Sequence, residues 1–334
     1  MDETQAIAIG EERFGLTGRA RRLPGYDDDN FKIETDEGSV FVMKVAAEGV
    51  RLEELELQNA ALRHLKQACP DIRVPEILPD RDGQYIIRLE SGRLVRLLSF
   101  LPGHFYVDAS EPTEKLEKGF GRFLASLGQG FSSFDHPEAH REFEWDLAHA
   151  SPVIREHLSY IRRPERRTHV EQLLTAYEAQ VMPRLGDLRC QVIHGDANEF
   201  NVLIDNPESP GRITGIIDFS DMIHTALIHE VAIAGAYASM FRPDPVITLG
   251  HLAAGYHERV PLTAEELGSL FLMAAMRLAT SVCMSSKAIL DRPENTYITA
   301  SAEPAFKTLE RMAAIHPEAA AGRIGSVLRE KRPS

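Results

Sequence analysis

The chain has 334 residues, 43% of them hydrophobic, which is long enough for two lobes that each bury a core. Its 37 lysines and arginines face 50 aspartates and glutamates, a formal net charge of -13. That balance repels a nucleic-acid duplex or an anionic membrane and suits a cationic small molecule, although acidity also serves solubility alone.

Residues 5–14 read as a short helix. Beyond it Phe31, Ile33 and Thr35 alternate with polar residues, Asp36-Glu37-Gly38-Ser39 makes a turn, and 40–45 form the second strand of a hairpin. That second strand, VFVMKV, holds Lys44, whose ammonium is costly to bury unless it meets an anion such as a phosphate; the alternative is an outward-facing lysine on an alternating strand. The preceding loop, 24–30, has one glycine and three successive aspartates, so it is not a glycine-rich phosphate cradle. Within it Asn30 is a candidate phosphate donor, whereas Asp27, Asp28 and Asp29 are expected to face solvent or attract a cationic substrate. An amphipathic helix follows over 51–68, in which either Glu54 or the neutral Gln58 could partner Lys44. A second hairpin, 84–89 with 93–100, carries Arg96, read as pointing outward. Ser99, Phe100 and Leu101 lie where a kinase hinge offers backbone groups to a nucleotide base, and a domain boundary is expected there, giving lobes 1–101 and 102–334.

The remainder is mainly helical in pattern, over 116–127, 170–182, 228–238, 246–256 and 264–286. Trp145, the only tryptophan, is a lobe-packing residue or a wall of the acceptor site. Cys69, Cys190 and Cys283 are widely spaced and read as reduced core thiols, implying a cytoplasmic protein without a disulfide framework. The amino-terminal stretch lacks the blocks of a signal peptide, and no apolar run is expected to reach membrane-spanning length, since Arg277 interrupts 270–284.

The chemistry concentrates in CQVIHGDANEFNVLID and RITGIIDFSD. Short apolar strands end at Asp196, Asn201 and Asp218, two carboxylates and an amide on adjoining loops. Such a set can take a proton from a hydroxyl, hold a hard cation through oxygen ligands and orient the phosphates it carries. The HxDxxxxN spacing followed by a strand and Asp-Phe is what a kinase catalytic loop requires; an Asp- and Asn-rich hairpin turn would explain either piece alone, but not both in order. His194 is expected to brace the loop by bonding backbone. Rival patterns are incomplete: His229-Glu230 lacks a second histidine at Ile233, and Gly119-Phe120-Gly121 lacks a third glycine and a preceding strand, so helix packing explains it better.

On these motifs, together with LPGYDDDNF, VMKV, RLVRLLSFLPG and EFEWDL, the sequence resembles the aminoglycoside phosphotransferase and choline kinase family over nearly its whole length, and within it the hydroxylysine branch. The resemblance implies an α+β, protein-kinase-like, two-lobed fold with a small antiparallel-sheet lobe before a larger helical one. It implies Asp196 as base, Asn201 and Asp218 as Mg²⁺ ligands and Lys44 as phosphate contact, with GTP or ATP as donor. The acceptor it implies is a small amino-bearing alcohol, 5-hydroxylysine first, with an aminoglycoside, homoserine or an amino alcohol as alternatives. For such an acceptor Asp221 is a candidate contact to the ammonium, or else a solvated turn residue, and Trp145 is the candidate wall. Ala197, Ser220 and Gln58 depart from the residues usual at those positions. Gln58 leaves a silent nucleotide-binding module as the reading from another class.

Overall fold

The computed structural model describes residues 1–25, 28–291 and 301–330, so Asp27 lies outside the described residues. The chain divides into two compact units, Met1–Pro102 and Gly103–Ser334.

In the first unit, helix α1 (Glu3–Ile9) runs into a π-helical turn, Gly10–Phe14. Strands β1 (Gly18–Leu23), β2 (Asp29–Thr35) and β3 (Val40–Val45) follow, then helix α2 (Leu52–Ala68) and strands β4 (Ile77–Leu78), β5 (Ile87–Arg88) and β6 (Leu94–Ser99). They form one antiparallel sheet in the order β1-β2-β3-β6-β4, with β5 also on β6. The period of two puts Phe31, Ile33, Met43, Val45, Val95 and Leu97 on one face, where Ala6 of α1 joins them in a sealed core. The other face carries Asn30, Lys44 and Arg96, directly opposite one another across β2, β3 and β6. β1, reading GRARRL, has no alternating apolar signal because it is an exposed edge, and the sequence pattern misses it.

Two facing cations on adjacent strands repel unless anions or acceptors answer them. Arg96 does not point outward: it is 3% exposed, and its guanidinium donates to Gln58 Oε1 (2.6 Å) and Asn59 Oδ1 (2.9 Å) of α2. Glu54 accepts instead from Arg51 at 3.0 Å, and Lys44 Nζ lies 3.8 Å from Asp28. Helix α2 is thus tied to the sheet through an arginine and two neutral amides. The solvent-facing expectation for the acidic loop also fails for Asp29, which is buried among Arg22, Arg93 and the amino terminus. Burial works against its charge, but these cations, Arg93 foremost, hold its carboxyl below the usual range.

The second unit begins with β7 (His104–Phe105), α3 (Glu114–Phe131), α4 (Ala150–His157) and α5 (Pro164–Gln180). Strands β8 (Cys190–Ile193), β9 (Val202–Ile204), β10 (Ile213–Ile216) and β11 (Ile223–Ala226) come next, then α6 (Ile228–Ser239), α7 (Pro245–His257), α8 (Ala264–Asp291), α9 (Ala302–Ala313) and α10 (Pro317–Arg329). Thr113 caps α3 by accepting from Leu116 N, and Asp244 caps α7. Helices α3 and α7 pack backbone to backbone: a Cβ on Gly121 would sit 2.0 Å from Leu252 O, and one on Gly255 1.9 Å from Lys118 O. Within Gly119-Phe120-Gly121, Gly121 is therefore a packing glycine. Helix α8 is long and apolar enough over Ala264–Leu290 to cross a membrane by length and composition, contrary to the sequence-based expectation, and most of it is buried as the core of this unit. Arg277 does not interrupt that helix; it is enclosed by the same core at 2% exposure. Cys283 is buried, but Cys69 is only partly so and Cys190 is exposed, which corrects the expectation of three core thiols; none of the three is in a disulfide.

Candidate active site

The catalytic segment lies wholly in the second unit. β8 pairs antiparallel with β11 and β9 with β10, so the loops leaving β8 and β10 run side by side. Two bonds stitch them: Ile217 N donates to Asn201 O (2.9 Å), and His194 Nε2 lies 3.1 Å from Ile217 O. His194 is fully buried, and burial pushes its pKa down to about 4. It is therefore neutral, with Nε2–H donating to Ile217 O while Nδ1 accepts from Asp196 N (3.3 Å), the bracing role expected from sequence. The Phe219 ring meets its edge at 4.7 Å. Glu230, at the start of α6, accepts from His194 N at 2.6 Å and from the amide of Gly195; burial raises its pKa to about 7. Gly195 itself has φ +79°, and a Cβ there would lie 2.5 Å from Asp221 O, so the turn needs glycine.

The Asp196 side chain is held from three sides. Oδ1 accepts from Arg277 Nη2 (2.7 Å), and Oδ2 accepts from Asn198 Nδ2 (2.8 Å) and Asn201 Nδ2 (2.7 Å). Asn201 Nδ2 also reaches Asp196 O at 3.0 Å, which fixes the amide and turns its acceptor oxygen to the opposite edge. Asp218 is the one described non-glycine residue with positive φ, +62°. A non-glycine residue in the left-handed region is strained, and such strain persists where the surroundings over-determine it, often at functional sites. Burial, then the charges of Asp221 and Asp218, push the Asp196 carboxyl well above its ordinary value, with Arg277 and Asn198 opposing. Asp221, which accepts from Ser220 Oγ at 3.1 Å, is likewise raised by burial against the pull of Arg277.

Arg277 is the participant that the sequence motifs do not reveal. From the middle of α8 it donates Nε to Tyr237 Oη (3.1 Å), Nη1 to Trp145 O (3.1 Å) and Nη2 to Asp196, with its guanidinium carbon 4.9 Å from the Trp145 ring centroid and 5.5 Å from that of Tyr237. Burial disfavours its charge, yet Tyr237, Asp196 and Asp221 hold it protonated. Its one sequence signal is a charge within an otherwise apolar helical run. Trp145 is half-buried and joins the site through Arg277, so its neighbourhood includes Asp196.

Among the described residues no three His, Cys, Asp or Glu side chains are grouped to hold a metal ion. An Asn oxygen and an Asp carboxylate fit instead a small hard cation that keeps waters and phosphate oxygens as its other ligands. In the first unit, Asn30 Oδ1 is buried without a hydrogen-bond partner among the described residues, opposite Lys44 in the sheet. Ser99 N donates to Glu76 O and Ser99 Oγ accepts from Glu76 N, both at 2.8 Å, while Phe100 N donates to Val40 O at 3.3 Å. Those groups of the expected hinge are therefore spent on the sheet edge, and Leu101 follows them.

Residues 19–267 match the family model described as the phosphotransferase enzyme family. The chain belongs to this family. It is a phosphotransferase whose acceptor is a hydroxyl group. Among its relatives is the hydroxylysine kinase of Mus musculus, 31% identical over 93% of this chain and 89% of that protein. Two solved structures share the fold: a microcompartment-associated aminopropanol kinase (TM-score 0.74, 19% identity, 92% of this chain and 97% of that one) and an amicoumacin kinase in complex with AMP-PNP and Ca²⁺ (TM-score 0.71, 15% identity, 95% and 97%). The α+β, protein-kinase-like architecture expected from the sequence is the one observed, with an antiparallel-sheet unit before a mostly helical one.

Proposed function

We propose that this phosphotransferase moves the γ-phosphoryl group of GTP or ATP to the hydroxyl of a small amino-bearing metabolite, 5-hydroxylysine foremost, in the cytoplasm. The observation that carries this reading is the donor set around Asp196, which aims a carboxylate from the same loop that presents the Asn201 oxygen. The identity to hydroxylysine kinase along nearly the whole chain supports the acceptor.

In this reading Asp196 orients the acceptor hydroxyl and takes its proton as the oxygen attacks phosphorus. Arg277, Asn198 and Asn201 hold the carboxylate in one rotamer, so that little reorganisation is left for the transition state. Asn201 Oδ1 and the Asp218 carboxylate would hold Mg²⁺, which, when bound, neutralises charge on the phosphate oxygens. Burial and the neighbouring charge of Asp218 favour the protonated forms of Asp196 and Asp221, so the crowded set suits a nearby dication. Lys44 supplies a cation to the nucleotide phosphates, with Asn30 beside it in the sheet, and the strand end at Ser99, Phe100 and Leu101 borders the nucleotide base. Asp221 and Trp145 serve the acceptor. The first unit thus acts as the nucleotide-binding lobe and the second as the catalytic one.

The test is a coupled nucleotide-consumption assay of the purified protein against 5-hydroxylysine, homoserine, ethanolamine, 1-amino-2-propanol and an aminoglycoside, each with ATP and with GTP. Turnover of 5-hydroxylysine with the highest kcat/KM is expected. Turnover of the aminoglycoside alone would overturn the acceptor assignment, and no transfer to any hydroxyl would overturn the reaction.

A further inference from the structure

Glu199 sits in the catalytic loop between Asp196 and Asn201, and neither the kinase motif nor the proposed chemistry gives it a task. It is 2% exposed. Its Oε1 accepts from Ser301 Oγ at 2.5 Å, its own backbone N–H also bonds the carboxylate, and its Oε2 is buried with no hydrogen-bond partner among the described residues. A carboxylate oxygen shut away from water without a donor loses its solvation unless a cation or a proton answers it.

Its surroundings belong to the active site. The charge of Arg277 reaches Glu199, and Glu199 in turn acts on Tyr237, the residue that accepts from Arg277 Nε. Arg277 donates to Asp196, Tyr237 and Trp145, and among the described residues no ion pair closes over Glu199. Glu230 makes the contrast: it too is buried with one unpartnered oxygen, but its other oxygen takes backbone N–H groups of the catalytic turn, a structural task. Among the described residues Glu199 has only a neutral hydroxyl and a local amide.

We propose that Glu199 receives an ammonium group of the acceptor and thereby selects amine-bearing alcohols. This rests on the reading of the protein as a kinase for such acceptors and adds the group that recognises them. The ammonium supplies the missing donor to Oε2 together with the missing positive charge, which a neutral alcohol cannot do. Discrimination then follows from leaving a buried carboxylate unanswered when the amine is absent.

Two measurements on the full chain test this. The first is thermal unfolding of Glu199→Gln without nucleotide or acceptor. A carboxylate kept for a ligand stabilises nothing in the free protein, so Tm is expected to equal or exceed that of the wild type; a fall of more than about 5 °C would assign Glu199 a structural role and overturn the proposal. The second is steady-state kinetics of both proteins with 5-hydroxylysine, with 2-amino-5-hydroxyhexanoic acid, which lacks the side-chain ammonium, and with Nα-acetyl-5-hydroxylysine, which lacks the other. In Glu199→Gln, KM for 5-hydroxylysine is expected to rise about tenfold or more while KM for one of the two analogues and for the nucleotide stays put. Equal changes with all three acceptors, or none, would overturn the proposal. If the wild type phosphorylates none of the three, the acceptor assignment has failed, and the unfolding comparison still decides between a ligand-directed and a structural carboxylate.

Discussion

Replacing Arg277 with methionine tests whether this buried cation sets the geometry of the catalytic loop. Methionine keeps much of the volume and can still pack its sulfur against the Trp145 and Tyr237 rings, so the change removes donors and charge more than it opens a cavity. Lost are the charge-assisted bond to Asp196, worth about 1.5–3 kcal/mol, and the neutral bonds to Tyr237 Oη and Trp145 O, at about 1 kcal/mol each. Asp196 is left beside Asp221 and Asp218 without its cation, but it can take up a proton rather than stay as an unpaired buried charge, which caps the penalty. A net loss of about 3 kcal/mol follows, or a drop in Tm of roughly 6–12 °C for a unit of this size. The single tryptophan, Trp145, stacks on Arg277, so its fluorescence follows unfolding of the second unit specifically. With Asp196 protonated and its rotamer released, kcat is expected to fall by roughly 10² or more while the nucleotide KM changes little. Arg277→Lys, which keeps charge but not the planar fork, should lie between. A variant within about 2 °C of wild-type Tm and within about threefold of its kcat would refute the reasoning.

Asp196→Asn should cut phosphoryl transfer by roughly 10³ in a single-turnover assay; retained transfer would dismiss it as the base. Gly255→Ala places a Cβ 1.9 Å from Lys118 O in the α3–α7 contact, so the helices must part and Tm should fall clearly by calorimetry; an unchanged Tm would mean that the contact is not close. Glu230 and His194 make opposing contributions to the pH dependence of stability. The Glu230 pKa is raised from 4.5 to about 7, so its contribution is complete below 4.5 and is lost as pH rises to about 7. The His194 pKa is depressed from 6.5 to about 4, so its contribution is complete above 6.5 and is lost as pH falls toward 4. Each is on the order of 3 kcal/mol, and the two nearly cancel where their windows overlap. Glu230→Gln removes the first alone, so its Tm should climb steeply from pH 4.5 to 6.5 where the wild-type Tm stays nearly flat; equally flat profiles in differential scanning fluorimetry would contradict the assigned ionisations.

What the sequence made readable in this site follows from how far each partner lies along the chain. Asp196, Asn198 and Asn201 share one loop, and Asp218 ends the next strand but one, so their spacing alone announces a converging set of oxygens. Arg277 reaches the same carboxylate across 81 residues, from the centre of a helix whose pattern otherwise says core. Nothing local distinguishes a buried functional arginine from one that merely breaks an apolar run; only the fold brings Trp145, Tyr237 and Asp196 around it. The first unit repeats the lesson. Knowing the kinase pattern, one looks for a helix carboxylate to pair with Lys44 and finds a glutamine at the candidate position. That glutamine makes sense once Arg96, directly across the sheet from Lys44, is seen turned inward onto Gln58 and Asn59. A neutral acceptor serves there because a guanidinium brings several donors and needs oxygens aimed at them, which two adjacent amides on one helix provide. The same reasoning explains why Asp29 is not a loose acidic lure: three nearby cations, Arg22, Arg93 and the chain's own amino terminus, come from separate stretches, and their convergence makes a solvated-looking turn part of the frame that holds β2.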